Sequence, residues 1–142
     1  MTLRVVNQGE AALLDLATSI PYQVRLFTND VTDGLSDSQI NALDEDDFTE
    51  ATFVGYAPVT LSTSGWSAAS EGAPTSKPYG AAASFLRSST GTAETIYGYY
   101  VTRSADGALV WFEEFASSVE IDTAGEQIDV TVVLTLADTV DS

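Results

Sequence analysis

The chain has 142 residues, 44% hydrophobic and 18% charged, with 21 acidic against 5 basic side chains and a net charge of −16. With no cysteine and no histidine, it is excluded from disulfide frameworks, thiolate nucleophiles, tetrahedral zinc sites, haem ligation by either residue and Ser-His-Asp catalysis. The acid excess repels nucleic acid and anionic membranes, and the length fits one globular domain over 1–142 that buries about 68–70% of its unfolded surface. The charge serves solubility or life in a salty environment. Its alternative uses are a basic partner surface or divalent cations.

In chain order, residues 3–6 predict a short strand. Residues 10–17, EAALLDLA, predict a short helix with Leu13, Leu16 and Ala17 on one apolar face and Asn7 and Gly9 at its start. No charged segment followed by a long apolar run and a small-residue cleavage site opens the chain, and no stretch reaches the roughly 18 apolar residues of a membrane span. Synthesis in the cytoplasm without a visible address is expected. Residues 22–28 alternate as a strand, with Tyr22, Val24 and Leu26 opposite Gln23, Arg25 and Phe27. Residues 29–47 form a loop rich in Asp, Ser, Thr and Gly, with a helical turn at 38–43 through Ile40 and Leu43. Residues 53–61 predict a strand that Pro58 pushes to a sheet edge or bulge. Residues 62–78 are rich in Ser, Gly, Ala and Thr and predict a flexible loop or arm, whose Trp66 plugs the local core. Residues 79–87 follow as a small-residue strand through Ala81, Ala83 and Phe85.

The strongest signal is the hairpin at 96–115. Aromatic and β-branched runs flank Ala105, Asp106 and Gly107, and Asp-Gly is a tight-turn dipeptide. Strict alternation puts Ile96, Gly98, Tyr100 and Thr102 on one face and Tyr97, Tyr99, Val101 and Arg103 on the other. Both faces are apolar, so the second is covered by this chain or offered to another. Residues 119–121 predict a short strand, 123–126 a turn, 128–136 one continuous strand and 137–142 a polar tail. The sum is an all-β domain with one short N-terminal helix: a sandwich, jelly roll or barrel.

Chemistry is sparse. Asp44, Asp46, Asp47 and Glu50 are hard oxygen ligands crowded in sequence, as Ca²⁺ prefers, but they lack EF-hand spacing; a solvated acidic loop is expected. Glu113 and Glu114 are adjacent on a strand, point to opposite faces and cannot pair as an acid and base; an ion pair with Arg103, Arg87 or Arg25 is the expected role for Glu113. Neither a phosphate-binding glycine loop nor a nucleophile elbow occurs. No catalytic, cofactor or metal site is expected. The candidate site is an interface built from Tyr97, Tyr99, Trp111 and Phe112 of the hairpin, with Trp66.

The segments FTEATFVGYAPVTL (48–61), TIYGYYVTRSADGALVWFEEF (95–115) and IDVTVVLTLA (128–137), with the opening VVNQGEAALLDLA and YQVRLFTND, resemble small structural proteins of tailed bacteriophages. The resemblance leaves out the loops at 33–47 and 62–78. It implies a non-enzymatic virion protein, a capsid decoration (cement) protein with a jelly-roll-like β-sandwich. Such a protein forms a trimer and binds the major capsid protein or another virion protein. The competing role is a tail-associated adaptor or fibre module, or such a module that binds carbohydrate through Trp66, Tyr79 or Trp111.

Overall fold

The structure, a computed structural model, describes residues 3–137. In chain order its elements are α1 (Asn7–Ala17), β1 (Tyr22–Phe27), the one-turn α2 (Asp37–Ile40), a 3₁₀ turn (Glu45–Asp47), β2 (Val59–Leu61), β3 (Thr75–Pro78), β4 (Ala83–Leu86), β5 (Glu94–Arg103), β6 (Leu109–Ile121), β7 (Gln127–Val130) and β8 (Val133–Leu136). The chain is thus mostly antiparallel β-strand with short helices, and no described helix is long and apolar enough to cross a membrane. The expected polar tail lies, beyond Ala137, outside the described residues.

Residues 3–6 form no strand, because the Val6 carbonyl instead starts the helical ladder by accepting from Glu10 N–H. The inward face of α1 also differs from expectation. Glu10, Leu14 and Thr18 point in, each 3% exposed, while Leu13 and Leu16 are 47% and 69% exposed. Polar contacts with β3 set this orientation. Thr75 Oγ1 donates to Glu10 Oε2 at 2.6 Å, and Lys77 Nζ donates to Asp15 and to Thr18 Oγ1, both at 2.7 Å. Turning the leucines inward would strand a buried carboxylate and hydroxyl, at about 1–3 kcal/mol or more each.

Four strands form one antiparallel sheet in the order β2-β1-β5-β6. Past the short β2, the β1 edge continues to be covered: Phe27 bridges Glu50, and Ala51 N–H donates to the Leu26 carbonyl. The predicted strand at 53–61 survives only as Val59–Leu61. Upstream, Gly55 at φ +94° turns the chain so that Phe53 drops into the core. A side chain there would strike the Leu86 carbonyl at 2.7 Å. The predicted strand at 128–136 is broken at Thr131 and Val132 into β7 and β8, which pair with β4 and β3 respectively. Tyr79 N–H donates to the Val132 carbonyl across the break, so 75–86 and 127–136 form one kinked ribbon. The end of the 62–78 loop is therefore strand, tied back by the Ser70–Ser76 and Trp66–Tyr79 bridges.

The ribbon lies over one face of the sheet. Val24, Leu26, Leu61, Ile96, Tyr99, Val101 and Ile121 from the sheet share a core with Ala83, Phe85, Ile128, Val130 and Val132 from the ribbon. A second, smaller core lies on the sheet's other face, where Phe27 and Tyr100 meet Val31 and Phe48 of the 28–50 segment. Strict alternation fails within β5. Ile96 pairs with Val119 but Gly98 pairs with Glu114, so one residue of β5 opposes four of β6. This irregularity swaps the faces upstream: Ile96 joins Tyr99 and Val101 in the larger core, and Tyr97 joins Tyr100 beside the smaller.

Gly98 sits where the β6 backbone and the Phe27 ring leave no room for a side chain. A Cβ there would meet the Glu113 carbonyl oxygen at 2.2 Å and the Phe27 ring at 2.9 Å. Gly98→Ala is expected to cost about 1–3 kcal/mol, measured as a lower denaturant midpoint. Unchanged stability would show that β5 and β6 can part freely.

Candidate interface

The hairpin turn forms as its dipeptide predicts. Gly107 adopts φ +74°, Arg103 N–H donates to the Ala108 carbonyl at 3.0 Å, and Gly107 N–H donates to the Arg103 carbonyl at 2.8 Å. The Asp106 carboxylate accepts from Ala108 N–H, which with the Arg103 guanidinium holds its pKa below the usual carboxylate range. The Arg103–Asp106 pair is about half exposed. Solvent screens it, so backbone geometry is what closes the turn.

The five aromatic candidates do not form one open patch. Tyr99 is buried, 4% exposed, and its hydroxyl donates to Glu113 Oε2 at 2.7 Å; this replaces both the surface role expected of Tyr99 and the arginine pairing expected of Glu113. Trp111 packs edge-on against Tyr22 with ring centroids 5.4 Å apart, half-buried on the larger core. Phe112 joins Phe48 at 5.2 Å beside the smaller core, where Tyr97 also packs. Trp66 lies elsewhere, edge-on to Tyr79 at 5.3 Å. Gly65 makes room for that pair, since any side chain there would enter the Tyr79 ring. The second apolar face of the hairpin is thus covered by this chain.

Trp111 and Phe112 do meet at one place open to solvent. With Leu109 and Val110 they face Ile40 and Leu43 across a groove of about 390 Å³. Glu45 stands at its rim, its Oε2 accepting from Leu109 N–H at 3.2 Å. Sequence periodicity did not mark this groove, because the helical turn that walls it is only four residues long. The N-terminal segment, expected with the hairpin face to make protein contacts, exposes Leu3, Val6, Leu13, Leu16 and Ile20. The i, i+3, i+7 spacing of Leu13, Leu16 and Ile20 was visible, but it looks the same whether the stripe faces in or out.

The acids of the 44–50 segment have structural work. Asp44 accepts from Asp46 N–H at 3.0 Å, and Asp47 reaches back to Asp44 N–H at 2.8 Å, closing a capping box. Glu50 takes both oxygens to Arg25 at 2.9 Å and accepts from the Tyr56 hydroxyl at 2.7 Å. Among the described residues no three such side chains converge as a metal site. Four of the five cations are engaged within the chain: Arg25, Lys77 and Arg103 in ion pairs, and the buried Arg87 on the carbonyls of Ser89 and Ile121.

No family model, curated protein or solved structure matches this chain.

Burial raises the phenols of Tyr56 and Tyr99 well above the usual value, and the carboxylates they donate to, Glu50 and Glu113, push the same way. Burial pushes Tyr100 up to about 12 and raises Tyr22 as well. In each case the fold binds a proton that the unfolded chain gives up near pH 10. Stability is therefore expected to be unaffected by these groups below about pH 10 and to fall as pH rises through the folded values. Tyrosinate absorbance should appear together with loss of the β signal in circular dichroism. Tyrosine ionisation completed before unfolding would contradict the burial.

Proposed function

We propose that the chain is a docking protein of a tailed-phage virion, a capsid decoration protein that binds the head shell through protein–protein contacts. The observation that carries the docking reading is the apolar surface of the N-terminal segment. Leu3, Val6 and Leu16 are 85%, 67% and 69% exposed, with Leu13 and Ile20 beside them. A helix that turns its glutamate inward and its leucines outward has an apolar stripe for another chain to bury. The phage assignment is supported by the resemblance of 48–61, 95–115 and 128–137 to virion structural proteins. The two layers, sheet and ribbon, fit the jelly-roll-like sandwich that goes with it.

In this reading the N-terminal stripe packs against copies of itself in a trimer, and the trimer clamps the seams between capsid subunits. A specific seam contact of this kind buries on the order of 1,200–2,000 Å². Light scattering of the purified chain is expected to give three times the 15.0 kDa monomer mass, and Leu16→Asp is expected to reduce it to the monomer while leaving circular dichroism unchanged. The chain should also be recovered by mass spectrometry from purified virions of the phage that encodes it. A protein absent from those virions overturns the phage assignment, and a monomer that Leu16→Asp leaves unaffected overturns the stripe as the docking surface.

A further inference from the structure

We infer that β6 is a strand-addition site for an extended, basic segment of a partner protein, with one apolar side chain of that segment seated in the groove under Ile40 and Leu43. This deepens the docking reading by naming the chemistry of a partner, on a surface separate from the N-terminal stripe.

The edge itself is the first observation. β6 runs for thirteen residues at the end of the sheet, with β5 on one side and, among the described residues, no strand on the other. The opposite end of the sheet is β2, only three residues long. An edge strand turns alternate N–H and C=O groups outward, ready to pair. Two irregularities bracket the usable run. Val110 is an extra residue between the pairs Thr102–Leu109 and Val101–Trp111, and Phe115 to Ser118 are the extra residues opposite Tyr97. Between them Trp111–Glu114 stays in regular register with β5. Before this run, beyond the Val110 irregularity, the Glu45 carboxylate accepts from Leu109 N–H.

The groove is the second observation. It opens at the same end of β6, between Ile40, Asn41 and Leu43 on one side and residues 109–112 on the other, and its volume of about 390 Å³ has room for one or two side chains. A strand laid along Trp111–Glu114 carries side chains alternately to the two faces, so a residue near its end falls into the groove.

Charge decides which strand can land. Glu113 and Glu114 both lie within the regular run and on opposite faces, oriented by the hydroxyls of Tyr99 and Thr32 at 2.7 Å and 2.6 Å. A second copy paired edge to edge would set these carboxylates against their own kind, and like charges across a strand pair are destabilising. The chain's own cations are largely engaged elsewhere. A segment with two adjacent basic residues, one for each face, between apolar ones supplies what the edge lacks: main-chain partners, opposite charge and an anchor.

The test uses the full chain carrying Trp66→Phe, so that Trp111 is the only tryptophan. Three synthetic peptides are titrated: one with two adjacent lysines between runs of valine, the same peptide with glutamate for lysine, and the lysine peptide with a proline in each valine run that cannot pair. The first is expected to shift Trp111 fluorescence and to slow hydrogen exchange of the β6 amides. Affinity is expected to fall by about tenfold or more with the glutamate peptide, with the proline peptide and with Glu113→Gln/Glu114→Gln. Those exposed substitutions keep the hydroxyl acceptors, so the fold is retained. Equal binding by the proline peptide would mean charge alone acts and overturns strand addition. Unprotected β6 amides, or self-association through β6, overturn it as well. None of these outcomes involves a virion, so failure here and failure of the phage assignment are separate results.

Discussion

The fold depends on β5 being buried on both faces. Ile96, Tyr99 and Val101 enter the larger core while Tyr100 enters the smaller, and β1 and β6 flank the strand on either side. A strand in that position has no solvent face to absorb a slip, so its register is fixed by every neighbour at once. The irregularity opposite Tyr97 is what allows two cores of unequal depth. By exchanging Ile96 and Tyr97 it delivers the aliphatic side chain to the deeper layer and the phenol to the shallower one. Gly98 then lets the Phe27 ring lie against bare backbone, closing the smaller core.

An unusual share of the polar work falls to carboxylates. Glu10 holds the helix to the ribbon, Glu50 braces Arg25 and Tyr56 at the sheet edge, Asp44 and Asp47 cap a turn, and Glu45 covers a strand-edge amide. Reducing such a chain to a solvated acidic shell overlooks that several of these groups replace backbone partners the short elements cannot supply. With only five cations, acids such as Glu113 and Glu114 are met by hydroxyls rather than by ion pairs. The arrangement leaves the remaining acids outward, where they repel copies and attract basic surfaces.

Much of the β architecture was legible from local pattern. Alternation at Tyr22, Val24 and Leu26 and the Asp106-Gly107 turn describe interactions contained within a few residues, and both appear as expected. Legibility stopped where a distant residue decides. The inward face of α1 depends on Thr75 and Lys77, which nothing near the helix announces. The break at Thr131 and Val132 comes from the four residues, Tyr79 to Ala82, that separate the two strands on the opposite side of the ribbon. The hairpin aromatics divide between the two faces of the sheet, and alternation carries no sign of which face another segment will cover. Phe48 and Val31, in a loop with no strand pattern, are what close that face.

The topology also dictates an order of events in folding. β1 pairs with the short β2 through Gln23 and Thr60, but its full-length partner is β5, where Gln23 meets Thr102, and the ribbon closes only when residues near the end of the described chain reach Thr75. Such distant pairings pay loop-closure entropy before any core forms, and chains of this kind fold slowly. During synthesis the apolar β1 and the exposed leucines of α1 therefore emerge long before they can be covered. A chain that carries many negative charges over that interval keeps its unfinished copies apart, so the acidity protects assembly of the monomer before it serves anything on the finished surface.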